Sequence, residues 1–91
     1  IDKNGKTPLM VAVENSSLDI VEFLLSEENN NINKVKINQR DFIGRTALFL
    51  AIRHMNRDII SHIMAKGGDL SICDNQGKNS LDQAEDLGIN L

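Results

Sequence analysis

The sequence contains no tryptophan, no tyrosine and only three phenylalanines, so any core has to be built from aliphatic side chains. Its single cysteine, Cys73, excludes an internal disulfide and favours a reducing compartment. No apolar run approaches the roughly 20 residues of a bilayer-spanning helix, and no signal peptide is visible. The net charge of −3 is mild and disfavours a polyanionic partner such as nucleic acid. We therefore expect an intracellular protein, cytoplasmic or nuclear, without a membrane partner.

What the sequence does contain is a turn-and-helix pattern that recurs three times, with Asp, Gly, Leu and Ala at the same relative places. The copies begin at Asp2, Asp41 and Asp74 and are 39 and 33 residues apart. A period of this size indicates a repeat array. We divide the chain into unit 1 (about residues 2–40), unit 2 (about 41–73) and unit 3 (about 74–91, partial), all within one domain of residues 1–91.

Each complete unit predicts two short helices separated by a break. In unit 1, Thr7 is a good N-cap and Pro8 suits the first helical position, because its missing N–H would have no partner there. Residues 15–17 break this helix, and a second helix is expected from about Leu18 to Ser26. The expected helices of the other units run from Thr46 to near His54, from Arg57 to Lys66 and from Ser80 to Leu87.

The connection between units 1 and 2 is irregular. Its Asn-rich stretch, residues 28–34, has no hydrophobic period, and the connection is six residues longer than its counterpart in unit 2. A surface loop tolerates such an insertion at small entropic cost. The preferred interpretation is an exposed insertion without a role of its own.

The units resemble ankyrin repeats in almost every part of the chain. Unit 1 supplies Asp2, Gly5, Thr7, Pro8, Leu9, Ala12, Ile20, Val21, Leu24 and Leu25 of the family pattern. Unit 2 supplies Asp41, Gly44, Thr46, Leu48, Ala51, Ile59, Ile60, Gly68 and Asp69, and unit 3 supplies Asp74, Gly77, Leu81, Ala84 and Gly88. The family histidine is replaced by Met10, Phe49 and Asp82, and the Gly-His between helices by Ser16-Ser17 and Met55-Asn56.

The resemblance implies an all-α solenoid of stacked helix-turn-helix units with β-turn or hairpin loops. One such unit cannot bury its own apolar face, and about three are needed for stability. We therefore expect the native domain to be longer, with further repeats on the N-terminal side. Self-association through exposed repeat ends also stays open.

Chemical sites have weak support in the sequence. Gly5-Lys6-Thr7 looks like the end of a phosphate-binding loop, but Gly44-Arg45-Thr46 recurs at the same place and indicates a turn followed by a helix cap. His54, His62 and Cys73 do not form the paired spacing of a zinc site, and nothing near Cys73 activates its thiol. We expect no catalytic residue, no cofactor and no metal.

The resemblance instead implies protein binding through the turn tips and the concave face of the inner helices. Carried over by position, the tip residues are Lys3, Asn4, Lys6, Phe42, Ile43, Arg45, Asn75, Gln76 and Lys78. The inner-helix ends are Glu14, Asn15, Arg53, His54 and Asp86. Phe42 and Ile43 are the most informative pair, because apolar anchors often dominate interfaces, although Phe42 folding back onto a neighbouring repeat is the alternative.

The sequence thus predicts a protein–protein interaction module whose partner has an acidic or apolar face. The acidic expectation comes from the lysines and arginines at the tips, although ordinary solvated charge explains the same residues. Two alternatives stay open. The chain can be the regulatory or targeting part of a larger enzyme or channel, or it can contact nucleic acid through its basic edge, which the overall charge disfavours.

Overall fold

The computed structural model describes residues 3–26 and 37–90, so Asp2 and the Asn-rich stretch at 28–34 lie outside the described residues. Within this part of the chain five helices follow one another: α1 (Pro8–Glu14), α2 (Leu18–Leu25), α3 (Ala47–Arg53), α4 (Arg57–Ala65) and α5 (Ser80–Leu87). The α5 prediction is confirmed at both ends. Helices α2 and α4 end one residue sooner than predicted, because Ser26 is extended and Lys66 serves as the C-cap.

The first helices of units 1 and 2 begin at threonine caps, as the sequence predicts. The hydroxyl of Thr7 accepts a hydrogen bond from the N–H of Met10 at 3.2 Å, and Thr46 accepts one from Phe49 at the same distance. Each bond satisfies a backbone donor of the first turn that has no partner inside the helix. Pro8 occupies the first helical position, where no N–H is needed.

Directly after the C-caps of helices α1 and α3 stands a residue with left-handed backbone conformation that is not glycine. Ser16 has φ of 54° and Met55 has φ of 59°, each at the position where the family pattern has glycine. The N–H of the following residue closes each turn: that of Ser17 donates to the carbonyl of Ala12 at 3.0 Å, and that of Asn56 to the carbonyl of Ala51 at 3.3 Å. A side chain in this conformation costs roughly 1 kcal/mol more than glycine does, so both turns carry strain.

Met55→Gly is therefore expected to raise the free energy of unfolding by about 1 kcal/mol, because glycine adopts positive φ without a Cβ penalty. Little burial is lost, since Met55 is 55% exposed. Urea denaturation measures the change. Met55→Ala is the matched control: it removes the same long side chain but keeps the Cβ, and it should give no gain. Equal stability of the two variants would contradict the backbone explanation.

The helices stack in two rows. Within units, α1 packs against α2 and α3 against α4. Between units, α1, α3 and α5 form one row, which we call the inner row, and α2 and α4 form the outer row. The result is the predicted all-α repeat architecture, with the core enclosed between the two rows. Unit 2 occupies the middle of the stack, with unit 1 on one side and α5 on the other.

The core is aliphatic, as the scarcity of aromatic residues requires. The predicted stripe of α3, Leu48, Ala51 and Ile52, is fully buried, and so are Ile59 and Ile63 of α4. Three other apolar residues of the outer row are less enclosed than their helical pattern suggested: Met64 is partly buried, and Ile20 and Phe23 are exposed.

Candidate functional site

The backbone of the second and third turn tips (residues 42–45 and 75–78) is stabilised by hydrogen bonds to the aspartate that precedes each of them. Oδ1 of Asp41 accepts hydrogen bonds from the N–H groups of Ile43 and Arg45 at 2.9 and 2.8 Å. Asp74 accepts from the N–H groups two and four residues further on, both at 2.9 Å. A carboxylate that holds two backbone donors fixes the turn, so the tip backbone is preorganised.

Neighbouring tips are joined through their backbones. The N–H of Phe42 donates to the carbonyl of Asn4 at 3.0 Å, and the N–H of Asn75 donates to the carbonyl of Ile43 at 2.8 Å. The two donors, Phe42 and Asn75, occupy equivalent positions in their units, and so do the two acceptors, Asn4 and Ile43. Nδ2 of Asn75 adds a bond to the carbonyl of Phe42 at 2.9 Å. The three predicted tips therefore form one continuous edge.

Two glycines allow the tips to approach each other this closely. A Cβ at Gly5 would stand 2.5 to 2.9 Å from three ring atoms of Phe42, and a Cβ at Gly44 would meet the backbone nitrogen of Asn75 at 2.8 Å. Both glycines also have positive φ, 76° and 90°. Glycine at these places therefore serves both the turn conformation and the contact between units.

Phe42 contacts the neighbouring unit, as one of the two alternatives from the sequence expected, but it is not buried there. Its ring lies against Gly5 of the preceding tip, yet 69% of the residue remains exposed. Ile43 beside it is 50% exposed. The corresponding residues of the other tips are polar: Lys3 and Asn4 in unit 1, and Asn75 and Gln76 in unit 3. The middle tip therefore presents an apolar pair between two polar neighbours. The sequence predicted this pair, but the contact with Gly5 depends on a residue in another unit.

One lysine in each of the outer two tips, Lys6 and Lys78, is paired inside its own unit. Nζ of Lys6 lies 2.5 Å from a carboxylate oxygen of Glu14, and Lys78 contacts the carboxylate of Asp86 in the same way. In both cases the carboxylate stands eight residues further on, at the end of an inner-row helix. The hydrogen bond with Asp86 raises the pKa of Lys78 above its ordinary value. These two lysines are thus charge-compensated on the surface.

The middle unit departs from this arrangement. Arg45 turns back to Asp41, with its Nε and one terminal nitrogen both 2.9 Å from Oδ2. The side chains are 12% and 0% exposed, so this salt bridge, in which two guanidinium nitrogens meet one carboxylate oxygen, is largely removed from water. Eight residues after Arg45 stands Arg53, a second cation, where the other units have a carboxylate. In residues 3–26 and 37–90, Arg53 has no carboxylate within salt-bridge distance, and it is exposed.

The remaining predicted site residues lie at the surface near these groups. Asn15 and His54 directly follow the inner-row helices α1 and α3 as their C-caps, and both are exposed. Arg40, which precedes Asp41, donates to the carbonyl of Gly44 at 3.1 Å and to the side chain of Asn75 at 3.3 Å. The structure thus joins the tips into one edge. Helices α1 and α3 end at the predicted residues Glu14 and Arg53, whereas α5 ends at Leu87, one residue after the predicted Asp86.

Sequence reasoning missed a polar link in the outer row. Nε2 of His62 lies 3.1 Å from Oε1 of Glu22, beside a cleft between the ends of α2 and α4. The two residues are 40 positions apart, and no motif connects them. Sequence reasoning also did not predict the salt bridge of Arg45 with Asp41. A comparison of the three units would have indicated it, because Arg53 stands where the other units have the carboxylate that pairs with Lys6 or Lys78.

In the part of the chain that the structure describes, no group of three or more histidine, cysteine, aspartate or glutamate side chains is placed to hold a metal ion. Cys73 is a free, exposed thiol. Of the helices formed by residues 3–26 and 37–90, none has the length and apolar character that crossing a bilayer requires.

Comparison with known proteins gives related sequences over most of the chain. A putative ankyrin repeat protein of Acanthamoeba polyphaga mimivirus is 43% identical over 79 residues, which is 82% of this chain and 10% of the viral protein. Alpha-latrotoxin-Lg1a of Latrodectus geometricus is 36% identical over 83 residues, 91% of this chain and 6% of the toxin. BRCA1-associated RING domain protein 1 of Caenorhabditis elegans is also 36% identical over 83 residues, 91% of this chain and 11% of that protein. The chain thus spans about a tenth or less of the length of these relatives.

Two family models match consecutive parts of the sequence. The model described as ankyrin repeats (3 copies) matches residues 1–36, and the model described as ankyrin repeat matches residues 43–75. The second match lies across unit 2 and the beginning of unit 3, where the structure shows the tip, the two helices and the next tip. Repeats of this family are generally protein–protein interaction modules. The matched residues, the stacked helix pairs and the hydrogen-bonded tips together show that this chain belongs to the ankyrin repeat family.

Proposed function

We propose that the chain binds another protein through the edge formed by its turn tips and inner-helix ends, with unit 2 at the centre of the interface. The observation that carries the proposal is the apolar pair Phe42 and Ile43, which are 69% and 50% exposed on a tip whose backbone is fixed. Exposing such side chains to water is unfavourable, and burying them on a partner gains free energy without the cost of ordering a loop.

The charges around this pair define the partner further. Lys6 and Lys78 are neutralised by carboxylates of their own units, whereas Arg53 is not. A partner surface with an apolar patch and a nearby carboxylate would fit unit 2, since an exposed guanidinium attracts an acidic group and can bind it through two hydrogen bonds. Glu14 and Asp86 on either side would disfavour a uniformly acidic surface such as a nucleic-acid backbone.

In this proposal the chain performs no catalysis and needs no cofactor, and it acts inside the cell, in the cytoplasm or the nucleus. The whole protein can still have a further activity, because the relatives are about ten times longer than the matched segment or more. One of them carries a RING domain in its name. A regulatory or targeting role within a larger protein is therefore the second candidate, with the same surface supplying the binding.

The double substitution Phe42→Ala, Ile43→Ala is expected to weaken binding of the main partner at least ten-fold, because aromatic and large aliphatic anchors supply a disproportionate share of interface free energy. Proteins captured from a cell lysate by the 91-residue chain supply the candidate partner. Calorimetric titration of that purified partner with both versions then gives the dissociation constants. Circular dichroism checks that the variant keeps its helices.

The matched control is Ile20→Ala, Phe23→Ala, which removes a similar amount of exposed apolar surface from the outer row. It should leave the dissociation constant unchanged. Arg53→Glu tests the charge: it should slow association, and the dependence of the association rate on salt should reverse if a carboxylate faces Arg53. A partner that binds the tip variant as tightly as the native chain, or that is lost only in the outer-row control, would refute the proposed surface.

A further inference from the structure

The main chain of the middle tip (residues 42–45) is hydrogen-bonded throughout by other parts of the protein. Its four N–H groups donate to the carbonyl of Asn4 and to the carbonyl and Oδ1 of Asp41. Its four carbonyls accept from the N–H and Nδ2 of Asn75, from Nε of Arg40 and from the N–H of Asp41. These bonds are 2.8 to 3.1 Å long. Each main-chain group of this tip thus has a hydrogen-bond partner inside the chain.

The main chain of the third tip (residues 75–78) is less completely paired. Its four N–H groups are bonded in the corresponding way, but in the part of the chain that the structure describes its first three carbonyls accept no hydrogen bond. A main-chain group without a partner is costly to bury away from water, whereas a paired group costs much less. The middle tip can therefore be enclosed by an apolar surface, and the third tip only by a surface that offers donors.

Asn75 holds the main chain of both exposed apolar residues, although it belongs to the next unit. Its N–H donates to the carbonyl of Ile43 at 2.8 Å, and its Nδ2 donates to that of Phe42 at 2.9 Å. Its Oδ1 accepts a hydrogen bond from Arg40 at 3.3 Å, and Nε of Arg40 donates to the carbonyl of Gly44 at 3.1 Å. Both polar atoms of the Asn75 side chain are thus engaged inside the protein, where they support the middle tip.

The outward-facing side chains of the middle tip are apolar. Phe42 and Ile43 are exposed, while Arg45 is turned back onto Asp41. The ring of Phe42 also rests on Gly5 of the preceding tip. A loop that is ordered before it is bound loses little conformational entropy on binding. The middle tip therefore combines an apolar contact surface with a main chain that is already fixed.

We infer that the middle tip is a preorganised apolar anchor that enters an apolar pocket of the partner protein, and that Asn75 and Arg40 are the positioning residues that hold it. The inference rests on the proposed function, because it takes Phe42 and Ile43 as the contact. It also defines the partner's chemistry: the pocket is lined by aliphatic and aromatic side chains and supplies no hydrogen bond to the main chain of the tip.

The first test measures the order of the tip without any partner. Asn75→Ala removes the donor to the carbonyl of Phe42 and the acceptor of Arg40. The main-chain bond to Ile43 stays. In NMR relaxation, a rigid backbone has an order parameter of about 0.85 and a flexible one less than about 0.6. We expect the values of residues 42–44 to fall by about 0.1 or more in the variant, and those of the helices to stay the same.

The matched control for the order measurement is Asn38→Ala. The side chain of Asn38 also makes two bonds across the chain, donating to the carbonyl of Gly67 at 3.1 Å and accepting from the N–H of Asp69 at 2.8 Å, but it lies outside the tips. Its removal should leave the order of residues 42–44 unchanged. An unchanged order in Asn75→Ala, or an equal loss in both variants, would overturn the positioning role.

The second test is calorimetric titration of the purified partner that the native chain captures. Asn75→Ala is introduced into the native chain and into the tip variant Phe42→Ala, Ile43→Ala. We expect it to weaken binding about five-fold in the native chain and less than about two-fold in the tip variant, because a positioning residue acts only while the anchor is present. Equal losses in both backgrounds would show that Asn75 contacts the partner directly, against the inference.

Two substitutions of Phe42 test the pocket itself. Phe42→Leu keeps an apolar side chain and should retain the affinity within about three-fold. Phe42→Asn introduces the residue that the third tip has at the equivalent position, so the turn accommodates it, and it should weaken binding about ten-fold or more because its amide would be buried without a partner. Similar affinities of these two variants would overturn the apolar pocket.

The failure of this inference differs from that of the proposed function. Native affinity in the tip variant would refute the proposed surface, and the pocket with it, whereas the order parameters would still decide the role of Asn75. A tip variant that binds weakly, together with an Asn75→Ala variant that binds as the native chain does, would leave the proposed surface standing and refute the positioning role alone.

Discussion

Asp41→Ala is expected to lower the free energy of unfolding by about 3 kcal/mol, one of the two largest effects we anticipate in this chain. The substitution removes the acceptor of two backbone N–H groups and leaves Arg45 largely buried without its counter-ion. It also loosens the tip that lies between those of units 1 and 3. Urea denaturation followed by circular dichroism measures the change.

Asp74→Ala is the matched control for this prediction. Asp74 accepts the same two backbone hydrogen bonds in the third tip, but its basic neighbour, Lys78, pairs with Asp86 instead. The control should therefore cost only about 1 kcal/mol. Equal losses in both variants would show that the salt bridge of Asp41 with Arg45 contributes nothing to stability. The double variant Asp41→Ala, Arg45→Ala should lose less than the sum of the single variants, because it leaves no unpaired charge.

Ile59→Ala is expected to cost about 3 kcal/mol, because it removes three carbon atoms from a fully buried site between α4 and its neighbours and leaves a cavity there. Ile20→Ala changes the same residue type at the equivalent position of unit 1, where the side chain is 52% exposed, and it should cost less than about 1 kcal/mol. Chemical denaturation of both variants gives the two values.

The ratio of these two losses is the informative quantity. A several-fold difference is expected from the neighbours alone, since the helical pattern around both residues is the same. Comparable losses would mean that Ile20 is buried in solution by a contact that the described residues do not include.

The helices of this chain could be predicted from sequence because their signals are local. Thr46 caps α3 by accepting a hydrogen bond from the N–H three positions further on, and Gly88 ends α5 with its positive φ of 72°. Neither feature needs information from another unit. The stacking of the units in chain order could also be anticipated, because in a repeat array the apolar stripe of each unit is buried by the adjacent units.

The features that sequence reasoning missed depend on distant residues. Whether Ile20 is buried depends on what stacks against unit 1, and its own helix gives the same pattern as Ile59 in either case. Lys6 and Lys78 pair with a carboxylate eight residues further on, at Glu14 and Asp86. In unit 2 that position holds Arg53, a cation, and Arg45 pairs with Asp41 instead. Such choices are set by competition among charges in the folded state, which the pattern of a single unit does not contain.

The row of backbone hydrogen bonds between the tips has a consequence for how this surface can change during evolution. The bonds join the N–H of Phe42 with Asn4 and that of Asn75 with Ile43, and both use main-chain atoms only. Lysine, phenylalanine and asparagine occupy equivalent places in the three tips. The side chains displayed there can therefore be exchanged by single substitutions while the supporting frame persists. A lineage can acquire a new binding preference at this edge without first acquiring a new fold.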